Sequence, residues 1–234
     1  MKAWLQKLKK LLSHKKIIER RNNYYLSLGE NCFVRTVTTR QGLKDCKSDG
    51  ELSMPFDLCV SSVRGTIQII KNDFRNYFDG LYWDQEKQQW ENKELRLGFN
   101  HDKDCDQNNR DMLVQRYTNR IKNMHKLRKN KKLACVFSTV NANTSPSDIN
   151  ELYKVVKAFF ARTDLKFIVI DCSKAGIRKT NKISHRISYA HIPHPYPNYW
   201  GEWYKSEFFD SEAGRKFEKR VATFIQRHAH KHTC

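Results

Sequence analysis

Acidic residues are scarce in this chain: 25 Asp and Glu face 44 Lys and Arg, which leaves a formal net charge of +19 over 234 residues. An excess of this size points to an anionic partner such as a membrane surface, a polyanionic glycan or a nucleic acid. No nucleic-acid recognition module accompanies the charge, so specific nucleic-acid binding is not expected. Long apolar runs are missing too. No uninterrupted stretch could span a bilayer, and after Met1-Lys2-Ala3-Trp4 lysines break up the apolar residues before a secretory core forms. Walker-type and dinucleotide glycine runs are absent, which removes the usual support for a nucleotide, and no cofactor is expected. The 7 cysteines, at positions 32, 46, 59, 105, 135, 172 and 234, form no close pairs, which argues against a disulfide framework or a structural zinc site. A reducing setting follows: the cytoplasm, or the periphery of the cell membrane at its inner face.

The apolar residues that are present are ordered. Residues 1–22 read as a basic amphipathic helix, with Trp4, Leu5, Leu8, Leu11 and Leu12 on one stripe between lysines, suited to an anionic membrane interface or to docking on a partner. Residues 23–228 read as a single α/β domain and 229–234 as a tail. Strands are predicted at Tyr24 to Leu28, Leu133 to Phe137, Phe167 to Asp171 and Ile187 to Ile192. Helices are predicted at Cys32 to Gln41, Ser61 to Lys71, Phe74 to Phe78, Arg110 to Lys129, Pro146 to Ala161 and Glu212 to His228. Short continuous apolar strands alternating with amphipathic helices favour a layered, mostly parallel central sheet flanked by helices. The aromatic-rich stretch from Leu81 to Phe99 interrupts this pattern as a small antiparallel excursion, whose aromatics are expected to pack.

The chemistry centres on Tyr25-Leu26-Ser27-Leu28-Gly29-Glu30-Asn31-Cys32. A glycine turn after an apolar strand delivers Cys32 to a helix start, where free amides and the positive helix end favour a thiolate. Cys32 is therefore the candidate nucleophile, set against the plainer reading of a small packed cysteine. His101, in Gly98-Phe99-Asn100-His101-Asp102, is its candidate base, because imidazole can take the thiol proton near neutrality and return it to a leaving group. A third group would hold the imidazole. Asp57, in the stiff Pro55-Phe56-Asp57 loop, is narrowly favoured over Asp171, which ends a strand. Asp102 is placed awkwardly for the task, since in an extended segment it points away from its neighbour. Asn31 and the amide of Cys32 are candidate oxyanion donors, although Asn31 suits a helix cap equally well. No metal is expected. In the row Asp102, Asp104, Asp106 and Asn108, Gln107 occupies the position where a calcium loop needs glycine and Leu113 the position of its last glutamate. The alternating His228, His230, His232 and Cys234 sit at a terminus.

Ser27-Leu28-Gly29-Glu30-Asn31-Cys32, Pro55-Phe56-Asp57, Phe99-Asn100-His101-Asp102 and Trp200-Gly201-Glu202-Trp203 together resemble a mainly bacterial family described as papain-like cysteine peptidases of unknown function. The resemblance covers about Tyr24 to Phe224. It implies a Cys32–His101 pair assisted by an aspartate, acting on a peptide or an acylated substrate, or transferring an acyl or other group in surface-polysaccharide synthesis. Leu58 stands where the family pattern usually has tryptophan. The layered sheet expected from the residues also differs from the β-rich half of papain. A non-enzymatic scaffold binding a polyanion or membrane surface is the third reading.

Overall fold

The computed structural model describes residues 24–130, 132–141 and 143–230. The predicted helix at 1–22 lies outside them, as do His232 and Cys234. Four strands form a parallel sheet in the order β1 (Tyr24–Ser27), β6 (Leu133–Thr139), β7 (Lys166–Asp171) and β8 (Ile187–His191). The strands read as apolar runs because helices cover both faces.

Alternate strand residues face two separate cores. Leu26, Cys135, Phe137, Phe167 and Val169 pack under α2 (Val63–Lys71), α3 (Arg110–Lys126) and α4 (Pro146–Phe159). Tyr25, Ala134, Val136, Ile168 and Ile170 pack against α1 (Phe33–Arg40) and α6 (Glu212–His230) on the opposite face. The β-branched α1 holds its helix through this second core: Phe33, Val34 and Val37 are buried, and the Thr38 hydroxyl donates to the Val34 carbonyl at 2.7 Å. Ser145 and Asp148 cap α4 reciprocally, with Pro146 at its first turn.

The predicted excursion is a second sheet of four strands, antiparallel, in the order β2 (Val60–Ser61), β5 (Leu97–Gly98), β4 (Gln89–Asn92) and β3 (Leu81–Asp84). Its tryptophans pack as expected, Trp83 and Trp90 meeting edge-on and Trp90 donating to the Asp106 carbonyl at 3.0 Å, whereas Tyr82 is exposed. Phe74 to Phe78 is a run of turns rather than a helix. Asp73 and Phe74 both take left-handed backbone angles (φ 51° and 61°), which end α2 and bend the chain toward β3. Two short elements, β2 and α5 (Ser206–Phe209), carry too few residues for periodicity to reveal. His228 lies inside α6 as predicted, its Nδ1 2.9 Å from the Phe224 carbonyl oxygen, and the helix runs on to His230, past the predicted boundary.

Among the described residues no helix is long and apolar enough to cross a membrane.

Candidate active site

Cys32 and His101 come from different sheets. The chain leaves β1 through Leu28 and Gly29, and the absent Gly29 side chain is what lets this turn lie on β6: a Cβ there would stand 2.5 Å from Ser138 Oγ. Glu30 fastens the turn to the end of β6, its Oε2 accepting from the Thr139 hydroxyl (2.8 Å) and the Val140 amide (3.2 Å). Burial raises the Glu30 pKa against the pull of those donors. Asn31 Oδ1 accepts from the Phe33 amide at 3.0 Å and so caps α1 in place of the Cys32 side chain, which makes no capping bond. The Cys32 sulfur is thereby left for His101.

His101 follows β5 in the second sheet, and strand β2 stitches the two sheets together. Ser61 donates its amide to the Glu30 carbonyl (3.0 Å) and its hydroxyl to the Gly29 carbonyl (3.4 Å), while β2 pairs with β5 through Val60 opposite Gly98. This arrangement brings His101 Nε2 to 3.2 Å from Cys32 Sγ across 69 positions of sequence. Cys32 is half-buried and His101 is exposed.

Electrostatics correct one expectation. Burial raises the Cys32 pKa; the Thr36 hydroxyl, the residue's own amide and Arg40 act the other way without prevailing. Burial thus works against a standing thiolate at the helix start. Burial also lowers the His101 pKa, with Asp102 opposing and Arg120 and Lys103 reinforcing the shift. Both directions favour a neutral thiol beside a neutral imidazole, a pair in which the S–H can donate to Nε2 when the ring proton is on Nδ1.

None of the three candidate aspartates reaches this imidazole. Asp57 is buried and bound to Lys44 Nζ, 3.3 Å from each carboxylate oxygen, and its Oδ2 accepts from the Met54 amide at 2.8 Å. Asp171 lies on β7, separated from β1 by β6. It closes the loop that follows by accepting from Ser173, from the Ile177 amide and from the Tyr189 hydroxyl. Asp102 faces α3, where Arg116 Nη1 (2.7 Å), Arg120 Nη2 (3.3 Å) and the Tyr117 hydroxyl (2.8 Å) take up both its oxygens. Among the described residues, the hydrogen bond to Cys32 is the imidazole's only one.

The calcium-like row is committed elsewhere, with Asp104 paired to Arg116 at 2.5 Å and Asp106 Oδ1 accepting from Asn108 and Asn109. Among the described residues no three His, Cys, Asp or Glu side chains gather in a way that could hold a metal ion.

Sequence reasoning missed Ser61, Thr36 and the triplet Arg116, Tyr117 and Arg120. The triplet had a partial signal, since Arg120 stands four residues after Arg116 and three after Tyr117 and so shares a helix face with each. For an attacking sulfur, the Cys32 amide, which has no backbone acceptor among the described residues, and Asn31 Nδ2, whose side chain the cap holds through Oδ1, are the candidate oxyanion donors. No family model, curated protein or solved structure matches the chain.

Proposed function

We propose that the protein is a cysteine-dependent acyl hydrolase, a peptidase or amidase, with Cys32 as nucleophile and His101 as general base. The observation that carries the reading is the 3.2 Å contact between Cys32 Sγ and His101 Nε2. Cys32 Sγ attacks the acyl carbon as its proton passes to His101 Nε2. The oxyanion takes hydrogen bonds from the Cys32 amide and Asn31 Nδ2, and His101 returns the proton to the leaving amine as the C–N bond breaks. Water, deprotonated by the same imidazole, then cleaves the thioester and frees the acid and the thiol. Asp57, Asp171 and Asp102 have no part in these proton transfers.

If an alcohol or amine replaces water in the second step, the same pair performs acyl transfer, including transfer in surface-polysaccharide synthesis. The net charge of +19 favours an anionic substrate or a peripheral position at the inner face of the membrane. It equally favours a purely binding role toward a polyanionic glycan or membrane surface, in which Cys32 would do no chemistry.

The test is peptide-resolved alkylation of the intact protein, followed by intact-mass trapping with an activated acyl ester. Expected are a thioester on Cys32 that hydroxylamine removes, and a Cys32 alkylation rate at pH 7 that drops about a hundredfold or more in His101→Ala. Added alcohol or amine acceptors that capture the acyl group would assign transfer rather than hydrolysis. Cys32 that reacts no faster than the buried Cys135, or at a rate indifferent to His101, overturns the reading and leaves the binding role.

A further inference from the structure

The loop that carries the base is held by more charge than packing requires. Arg116, Tyr117 and Arg120 converge from α3 on Asp102, which follows His101 and is only 4% exposed. Arg116 makes the shorter contact and also binds Asp104, so it already ties the loop to the helix. Arg120 adds a longer contact of 3.3 Å from a position only 7% exposed, with its guanidinium over the Tyr117 ring. Its Nη1 is buried without an acceptor among the described residues. A stranded buried donor costs about 1–3 kcal/mol, and an apolar side chain of similar length would fill the space without that penalty. Anchoring alone does not account for an arginine here.

The position of its charge does. The groups acting on the His101 imidazole are Cys32 from the turn after β1, Asp102 and Lys103 from its own loop, and Arg120 from α3. Asp102 draws a proton onto the ring, while Arg120 and Lys103 repel it. Lys103 is exposed and its ammonium is bound to the Lys87 and Gln88 carbonyls. Arg120 is therefore the cation of this set that solvent screens least.

We propose that Arg120 is a positioning residue for the Cys32–His101 pair: it lends a hand in seating Asp102 on α3 and, by its buried charge, offsets that carboxylate so that His101 remains a proton acceptor. The inference rests on the reading of Cys32 and His101 as nucleophile and base. It assigns Asp102 the opposite role to a triad acid, since Asp102 fixes the loop while Arg120 works against its charge.

The test follows the His101 ring proton by NMR across pH in the full chain, with the pH dependence of Cys32 alkylation measured in parallel. Arg120→Gln should move the His101 midpoint up, Asp102→Asn should move it down, and the double variant should bring it back toward the parent. Arg120→Met, which packs without a buried charge, should shift the midpoint as Arg120→Gln does and decides the matter if that variant fails to fold. Arg120→Lys keeps the charge and should keep the midpoint. A midpoint unmoved in both Arg120→Gln and Arg120→Met, whatever happens to stability, overturns the inference and leaves the nucleophile–base pair standing. A midpoint that moves as expected while Cys32 alkylation ignores His101→Ala sinks the pair and not the electrostatic coupling.

Discussion

Lys44 Nζ sits 3.3 Å from each carboxylate oxygen of Asp57, and the two side chains are 1% and 0% exposed. Asp57 Oδ2 also accepts from the Met54 amide, and the Asp57 amide donates to the Met54 carbonyl, so the carboxylate organises the Pro55-Phe56-Asp57 turn from within. Burial lowers the Lys44 pKa, and Asp57 is the largest influence keeping the ammonium charged. Removing one partner of such a pair leaves an uncompensated buried charge. Asp57→Asn should therefore cost about 3–5 kcal/mol in urea unfolding. Lys44→Met in the same chain should recover much of it. Below the unfolding transition, Cys32 alkylation of Asp57→Asn should match the parent. An aspartate that oriented the base would give the reverse result, with stability kept and reactivity lost.

The parallel sheet was legible because its strands are continuous apolar runs of the kind that burial on both faces demands, as in Leu133 to Phe137 and Phe167 to Asp171. Cys32 and His101 were legible as a pair because each follows a strand and each has the side chain the chemistry needs. The choice among Asp57, Asp171 and Asp102 was not, because it depends on which neighbour each carboxylate faces, and Lys44, Tyr189 and Arg116 are brought to them by tertiary packing. The two-residue β2 has no period to read, yet Ser61 sets the distance between the sheets. The raised Cys32 pKa was hidden for the same reason: a helix start is a local feature, whereas the burial that outweighs it is not.

That balance has a consequence in pH. Burial raises the Cys32 pKa, so direct thiolate alkylation should climb only above the ordinary thiol range near 8.5. Burial lowers the His101 pKa, so the imidazole sheds its proton at a pH below its ordinary value of about 6.5. Turnover through the neutral pair should then switch on at lower pH than a free imidazole would allow and hold a plateau up to the raised thiol pKa. Peptide-resolved alkylation and hydrolysis of an activated acyl ester over pH 4–10 check both limbs. A preformed ion pair would instead show a thiolate titrating well under 8.5.

Gly65 in α2 is seated against backbone: a Cβ there would stand 1.9 Å from the Leu95 carbonyl oxygen and 3.0 Å from its carbon. That turn joins β4 to β5 and is fixed by Asn92, whose Oδ1 accepts from the Leu95 amide at 3.0 Å. Because a carbonyl cannot rotate away as a side chain can, Gly65→Ala has to push the turn outward, at an overpacking cost of about 1–3 kcal/mol. The shift travels along β5 to His101. The expected outcome is a lower thermal midpoint together with Cys32 alkylation that depends less on His101. Loss of stability with the His101 dependence intact would show that the strain stops at the turn.

His194 gives a stability test that is independent of the proposed chemistry. Its ring packs edge-on against Trp203 and Phe217, with centroids 4.5 and 5.1 Å away, and Nδ1 accepts from the Tyr196 amide at 3.1 Å. Burial pushes its pKa down to about 4, whereas in the unfolded chain it is about 6.5. The folded state therefore resists protonation that the unfolded state accepts. The stability is fully present above about pH 6.5 and is lost as pH falls toward 4, by up to about 3 kcal/mol. His194→Gln keeps an acceptor for the Tyr196 amide and cannot titrate. Urea unfolding of both proteins at pH 7.5, 6, 5 and 4.5 separates this effect from the carboxylates, which are common to both. The parent should lose stability relative to His194→Gln across that window, and a constant difference between them would refute a neutral, buried imidazole at this position.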